Sequence, residues 1–349
     1  MKTYLQENVA VSLPEGFTVR GARLEDVEPA LVLFNRWSHS VIGRNEITDA
    51  QALRTEWISP GFDPAEDIRL VFAPTGQMAG YIEVWTTSSP PVHPWMWGRV
   101  DPDYEDNGIG TWMLHWAEQR ALRALKDVPE QLRFAPRLGT YREAEKPKKL
   151  LDDFGYRPIR SSYHMLIEMD APVPEAEFPE GITLRTYNPE KDAEAVYRAQ
   201  NDSFRDHFGF VEEPFEEGVK RFRHFWESES SDPTLLFLAM DGPSGEIAGI
   251  NLCRPYSFDD PDMGYVGTLG VRRPWRKRGL GLALLRHSFN EFYRRGKRKV
   301  GLGVDAQNLT GALRLYEGAG MHVHQAFDQY EKELRPGTEI STQSLSQDA

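Results

Sequence analysis

The stretch Val271-Arg272-Arg273-Pro274-Trp275-Arg276-Lys277-Arg278-Gly279-Leu280-Gly281-Leu282-Ala283-Leu284-Leu285 decides the fold. An apolar run from Tyr265 to Val271 precedes it and reads as a strand. Behind it Leu282, Leu285, Phe289 and Phe292 recur at three- and four-residue steps, which predicts a helix with one buried face. The turn between them carries Gly279, Gly281 and five basic residues within Arg272–Arg278. Strand, glycine turn and helix start together make an anion site. Glycines let a phosphate approach the backbone. The N–H groups of the first helical turn, from Gly279 through Leu280, Gly281 and Leu282, lack partners within the helix, and the helix dipole favours negative charge there. Arg276, Lys277 and Arg278 add fixed positive charge.

Outward from this stretch, one order of elements occurs twice. Gly16-Phe17-Thr18-Val19-Arg20 reads as a strand, followed by a helix with Val27, Ala30, Leu31 and Phe34 on one face. Gly181-Ile182-Thr183-Leu184-Arg185 restarts the pattern, with Ala193, Val196, Tyr197 and Phe204 on its helix. Ile68–Ala73 and Met78–Thr86 flank the turn Pro74-Thr75-Gly76, and Leu235–Met240 and Glu246–Cys253 flank Asp241–Gly245 in the same way. Trp95–Val100, the loop Asp101–Gly110 and a helix with Met113, Leu114, Ala117 and Ala121 mirror the opening stretch. Each half then carries a strand (Gln131–Ala135; Lys299–Val304), a helix, Phe154-Gly155-Tyr156 or Ala319-Gly320-Met321, and a last strand. The shift from Gly16 to Gly181 and from Gly155 to Gly320 is 165 residues, a period that means two whole domains. The expected division is residues 1–170, a Pro/Glu-rich linker at 171–180, residues 181–335, and a disordered Ser/Thr/Gln tail at 336–349.

The halves differ in chemistry. Asp101-Pro102-Asp103-Tyr104-Glu105-Asp106-Asn107 stands where Arg272–Arg278 stands in the second half. Gly108 and Gly110 survive, but Glu105 takes the place of Arg276. Carboxylates beside a diphosphate repel it, at a cost of several kcal/mol in a low local dielectric. The first half is therefore expected to keep the backbone shape without the anion affinity.

The dinucleotide pattern G-x-G-x-x-G fails here for want of a third glycine, and the triphosphate pattern G-x-x-x-x-G-K-[ST] fails as well. What matches is R-x-x-G-x-G at Arg276, Gly279 and Gly281, together with Asn308 and Ala312-Leu313-Arg314-Leu315-Tyr316-Glu317-Gly318-Ala319-Gly320-Met321. These resemble the GNAT (N-acetyltransferase) superfamily, with Met321 in place of the family's Phe and one extra residue between Asn308 and the tyrosine. The motifs lie in Leu269–Leu285 and Asp305–Met321, and residues 17–335 as a whole resemble a tandem GNAT protein. The fold class implied is α/β (α+β): two tandem domains, each a mixed, mostly antiparallel sheet flanked by helices, the first degenerate and the second catalytic.

The resemblance further implies acetyl-CoA as co-substrate. Its pyrophosphate would lie on the loop, with Asn308 on the pantetheine arm and Tyr316 as general acid for the departing thiolate. Unpaired strand N–H groups near Leu269 and Val271 would hold the thioester carbonyl. A tyrosine suits the acid role because it stays protonated at neutral pH. The first half has Leu151 where Tyr316 would be. The acceptor implied is a small-molecule primary amine attacking directly. A non-catalytic acyl-CoA-binding scaffold, or transfer to protein amines or an antibiotic, stays open. So does the general base. The family's carboxylate positions hold Tyr265 and Gly303, leaving Asp305, Asp262, Glu212 and His207 as candidates. The segment Ser203–Phe210 reads equally as acceptor lid or as packing.

Composition sets the bounds. Over 349 residues the formal net charge is -12, which argues against a nucleic-acid binder and makes the basic loop local. One cysteine, Cys253, fits a reducing compartment, read as cytoplasmic. Met1–Phe17 shows no leader-like apolar core, and no run is long enough to span a membrane. His322 and His324 have no further ligand at suitable spacing, so no metal is expected. Nothing in the pattern sets an oligomeric state.

Overall fold

In the computed structural model, residues 12–308 and 311–343 are described. The leader reading of Met1–Phe17 therefore falls partly, and the end of the tail wholly, outside the described residues. The strands are β1 Thr18–Arg20, β2 Ile68–Phe72, β3 Met78–Trp85, β4 Trp95–Val100, β5 Arg137–Tyr141, β6 Arg157–Glu168, β7 Ile182–Thr186, β8 Leu236–Asp241, β9 Ile247–Arg254, β10 Met263–Val271, β11 Lys299–Asp305 and β12 His322–Glu331. The helices are α1 Val27–Ile42, α2 Ala50–Trp57, α3 Pro64–Asp67, α4 Ile109–Leu122, α5 Glu145–Asp153, α6 Ala193–Phe204, α7 Phe215–Trp226, α8 Leu280–Arg294 and α9 Ala312–Gly318. Among the described residues no helix is long and apolar enough to cross a membrane.

The chain forms two compact units, residues 1–160 with 327–340 and residues 161–326 with 341–349. Neither boundary falls at the Pro/Glu-rich stretch. Residues 171–180 are without helix or strand, but they run along the second unit. Asn290 donates to the Val173 carbonyl, and Val173 packs on the core of that unit.

Each unit repeats one sheet. In the first, β1 to β4 are antiparallel, β5 lies parallel to β4, and Phe327–Glu331 of β12 runs antiparallel to β5. In the second, β7 to β10 are antiparallel, β11 is parallel to β10, and Ser162–Glu168 of β6 runs antiparallel to β11. The closing strand of each unit thus comes from the opposite sequence half. This exchange moves the unit boundaries into the middle of β6 and β12.

Two further expectations are corrected. The strand read at Gln131–Ala135 forms only isolated bridges there, Leu132 to Thr338 and Phe134 to Arg335, and β5 begins at Arg137. The tail is not disordered over residues 336–343. Thr338 exchanges backbone bonds with Gln131 and Arg133, and Thr342 does so with Gly209 and Phe210. Paired backbone, not apolar content, holds it.

Helix α8 shows why the second unit holds together. Leu284, Leu285, Phe289 and Phe292 are fully buried on one face, under Phe237, Val266 and Leu302 among others. At about 1.5–3 kcal/mol for each such side chain, this stripe contributes roughly 6–12 kcal/mol before chain entropy is subtracted. Leu282, read as part of the buried stripe, is instead half-buried and lines a cleft.

Candidate active site

The cleft arises where two parallel strands part. β10 pairs with β11 from Met263 to Val266, and the last rung is Val266 to Leu302. Beyond it β10 stays on β9 through a register shift at Gly267. Arg272 donates to the Ala248 carbonyl, so Val271 faces Gly249 as a non-hydrogen-bonded pair. By the alternation of an antiparallel ladder, the N–H groups of Val271 and Leu269 then point away from β9, into the gap. A cleft of about 730 Å³ fills that gap, lined by both strands, the loop Arg273–Gly279, the start of α8, and Asn308 and Tyr316.

At the mouth, two residues adopt left-handed backbone. Lys277 has φ 60° and Gly279, which caps α8, has φ 82°. Lys277 is strained there, as a non-glycine residue. The two turns leave Gly279 exposed and direct the free N–H groups of Leu280, Gly281 and Leu282 toward the cleft they line. Lys277 and Arg278 are exposed, and among the described residues neither side chain has an ion-pair partner.

Arg276 is placed differently from its sequence reading. Its guanidinium donates to the Val271 carbonyl at 3.0 Å, to the Ser203 carbonyl at 3.0 Å and to Asp206 at 2.9 Å. It therefore fastens the loop to the end of α6 rather than standing free for a phosphate. Asp206 also binds Arg273, and these two guanidinium groups, Arg273 first, hold its carboxyl down at about 2. Asp206 is a site residue that sequence reasoning missed. It was legible only as one acid in the Ser203–Phe210 segment.

Inside the cleft, Tyr316 is 7% exposed, and its hydroxyl has no hydrogen-bond partner among the described residues. Burial, with Tyr265 close by, pushes it up to about 12, so it is protonated at neutral pH. Asn308 accepts weakly from the Ala312 N–H at the start of α9. Of the base candidates, His207 and Asp305 line the cleft, whereas Asp262 and Glu212 are exposed and do not. Burial first, and Arg276 second, lower His207. Asp305 accepts the Gln307 N–H in a turn. Tyr265 and Gly303 lie together, the Tyr265 hydroxyl 3.3 Å from where a Gly303 Cβ would stand. His322 and His324 are exposed on β12.

The first unit keeps the geometry and inverts the charge. β4 leaves β5 after Met96, the backbone N–H of Asp101 donates to the Ala79 carbonyl, Asp106 has φ 63°, and Gly108 caps α4 with φ 78°. The cleft there is smaller, about 220 Å³, and Leu151 lines it. The loop-to-helix ion pair survives with its signs exchanged. Arg272 binds Asp202 of α6 at 2.9 Å in the second unit, and Asp101 binds Arg36 of α1 at 2.8 Å in the first. Part of the loop's charge in both units is thus committed to holding the loop. Glu105 and Asp106 share Lys146.

A splayed strand pair over a helix start, built twice in one chain, defines a tandem GNAT-type N-acetyltransferase fold. The chain belongs to that family. The model of the acetyltransferase (GNAT) family matches residues 193–321. A mycothiol acetyltransferase of Salinispora arenicola is 30% identical over 266 residues, which span 75% of this chain and 80% of the relative. A solved GCN5-related N-acetyltransferase from Sphaerobacter thermophilus superimposes with a TM-score of 0.78 at 34% identity, covering 95% of this chain and all of the other. A tandem GNAT protein from the clavulanic acid biosynthesis pathway shares the fold, with a TM-score of 0.67 at 16% identity over 92% of this chain and all of the other. In layout the chain is similar to mycothiol synthase. The protein is an N-acetyltransferase of GNAT type.

Proposed function

We propose that the second unit transfers an acetyl group from acetyl-CoA to the primary amine of a small molecule by direct attack in a ternary complex. The carrying observation is the single cleft that joins the free N–H groups at the start of α8 to the unpaired strand N–H groups of Leu269 and Val271 and ends at Tyr316. Lys277, Arg278 and the N–H groups from Gly279 to Leu282 hold the pyrophosphate. The side-chain amide of Asn308 holds the pantetheine arm. Leu269 and Val271 donate to the arm and to the thioester carbonyl, whose oxygen becomes the oxyanion. The neutral amine forms the N–C bond, the C–S bond breaks, Tyr316 gives its proton to the sulfur, and the proton that the new amide nitrogen sheds restores Tyr316 through solvent. The acidic first unit takes no acetyl-CoA and serves as scaffold.

Release of CoA thiol, measured with acetyl-CoA against a panel of small primary amines, tests this reading. Turnover with at least one amine, abolished by neither thiol reagent nor chelator, is expected. Acetyl-CoA binding without turnover for any amine, unchanged by Tyr316→Phe, would establish a binding module instead.

A further inference from the structure

We propose that His164 is the general base, taking the proton from the attacking amine. The inference rests on the acetyl-transfer reading above. Gly303 lines the cleft one residue past the last rung of the β10–β11 ladder. A Cβ at that position would stand 3.3 Å from the Tyr265 hydroxyl and 3.9 Å from His164 Cδ2. The side chain missing at 303 therefore leaves a gap with a phenol on one side and an imidazole on the other. The ladder explains this placement. His164 on β6 is paired directly with Gly303 on β11, so both face the same side of the sheet. The rings of His164 and Tyr265 meet edge to face at 6.2 Å.

A proton acceptor is needed because a primary amine is cationic near pH 7 and has no lone pair to attack with. Tyr265 cannot serve, since burial holds it at about 12. Imidazole is the side chain whose ordinary proton affinity fits the task. His207 lines the same cleft but at its basic end, tilted against Phe204 at 4.5 Å between ring centroids and acted on by Arg276 and Asp305. The charged and titratable groups on the elements beside His164 are Tyr265 on β10, with Asp259 and Arg254 acting on that phenol, Asp305 two residues past Gly303 on β11, and the exposed His322 and His324 on β12, the strand that flanks β6. In the reaction His164 gains the ammonium proton, the neutral nitrogen bonds the acetyl carbon, and the thiolate leaves with the proton of Tyr316. As the C–S bond breaks, the bonded nitrogen sheds its second proton, which restores Tyr316 through solvent, and solvent takes the first proton from His164. The strand that carries His164 belongs to the first sequence half, which gives that half a part in the chemistry.

His164→Gln and His164→Ala are tested with acetyl-CoA and two probe amines, ethanolamine, cationic at neutral pH, and hydroxylamine, largely neutral there. Transfer to ethanolamine should fall roughly 10²–10⁴-fold, and the acidic limb of its kcat/KM profile should move up in pH, toward the ionisation of the amine itself. Transfer to hydroxylamine should fall less than about tenfold, since it needs no deprotonation before attack. Acetyl-CoA affinity and melting temperature should hold, which separates a lost base from a damaged fold. His207→Gln should instead raise the KM for acetyl-CoA and keep the acidic limb. Equal losses with both amines, or an acidic limb that His164→Gln leaves in place, overturn the assignment. Acetyl-CoA binding with no transfer by the wild type to any amine overturns it together with the transferase reading.

Discussion

Replacing Asp206 by Ala removes the carboxylate that ties Arg273 and Arg276 to the end of α6. The carboxyl is held at about 2 against an ordinary 3.8. At 1.36 kcal/mol for each pH unit, that difference corresponds to roughly 2.5 kcal/mol of folding stability at neutral pH. Asp206 is only 3% exposed, while Arg273 and Arg276 are 37% and 23% exposed, so the abandoned guanidinium groups can rehydrate. The loss should therefore stay near that figure and below the ~3–5 kcal/mol of a fully buried broken pair. For a domain of this size each kcal/mol shifts Tm by about 2–4 °C, which gives a fall of roughly 5–10 °C. The sign in pH follows from the lowered carboxyl. Its contribution is complete above the unfolded value near 3.8 and fades as pH falls toward 2. Thermal unfolding by circular dichroism, run at pH 7 and then stepwise into acid, reads both effects. The gap between wild type and variant should be full at pH 7 and narrow below about pH 4. Acetyl-CoA affinity should also drop, because Arg276 positions the loop through the same carboxylate. Equal melting at pH 7, or a gap that does not narrow in acid, refutes the clamp.

Three further outcomes are expected. Tyr316→Phe should lower kcat about 10²-fold with little change in the KM for acetyl-CoA or in Tm, as its hydroxyl has no hydrogen-bond partner among the described residues to lose; steady-state kinetics and melting check it. Lys277→Glu with Arg278→Glu should weaken acetyl-CoA binding by roughly 10–100-fold at low salt, less at high salt, with stability nearly unchanged; calorimetric titration over a salt series reads this. Gly279→Ala and Gly108→Ala should each cost about 1–2 kcal/mol, because both sites have left-handed backbone, at φ 82° and 78°, with open space around the added methyl. Of the two, Gly279→Ala alone should reduce acetyl-CoA affinity.

Local chemistry made much of the molecule legible. Alternation and helical spacing placed β4 at Trp95–Val100 and the buried face of α4 at Met113, Leu114, Ala117 and Ala121, because those patterns report a single element against its core. The glycine turn was equally readable, since left-handed backbone at Gly279 restricts the residue. The doubled order followed from repeated landmarks, and the family from a few motif residues. The bonds of Arg276 were not legible, because a basic side chain near a phosphate loop looks the same in sequence whether it is free or bonded. The answer lay 70 residues away, in Asp206.

By itself, then, the sequence determined the repeated order of its main elements and which half carries positive charge at the loop, since composition and spacing act locally. Which sheet receives the last strand of each half was decided by tertiary structure. A strand's own residues specify its period and its faces, but not which of two similar edges it joins. That choice sets Phe327–Glu331 against β5 and Ser162–Glu168 against β11, and it brings His164 beside Gly303, 139 residues away along the chain.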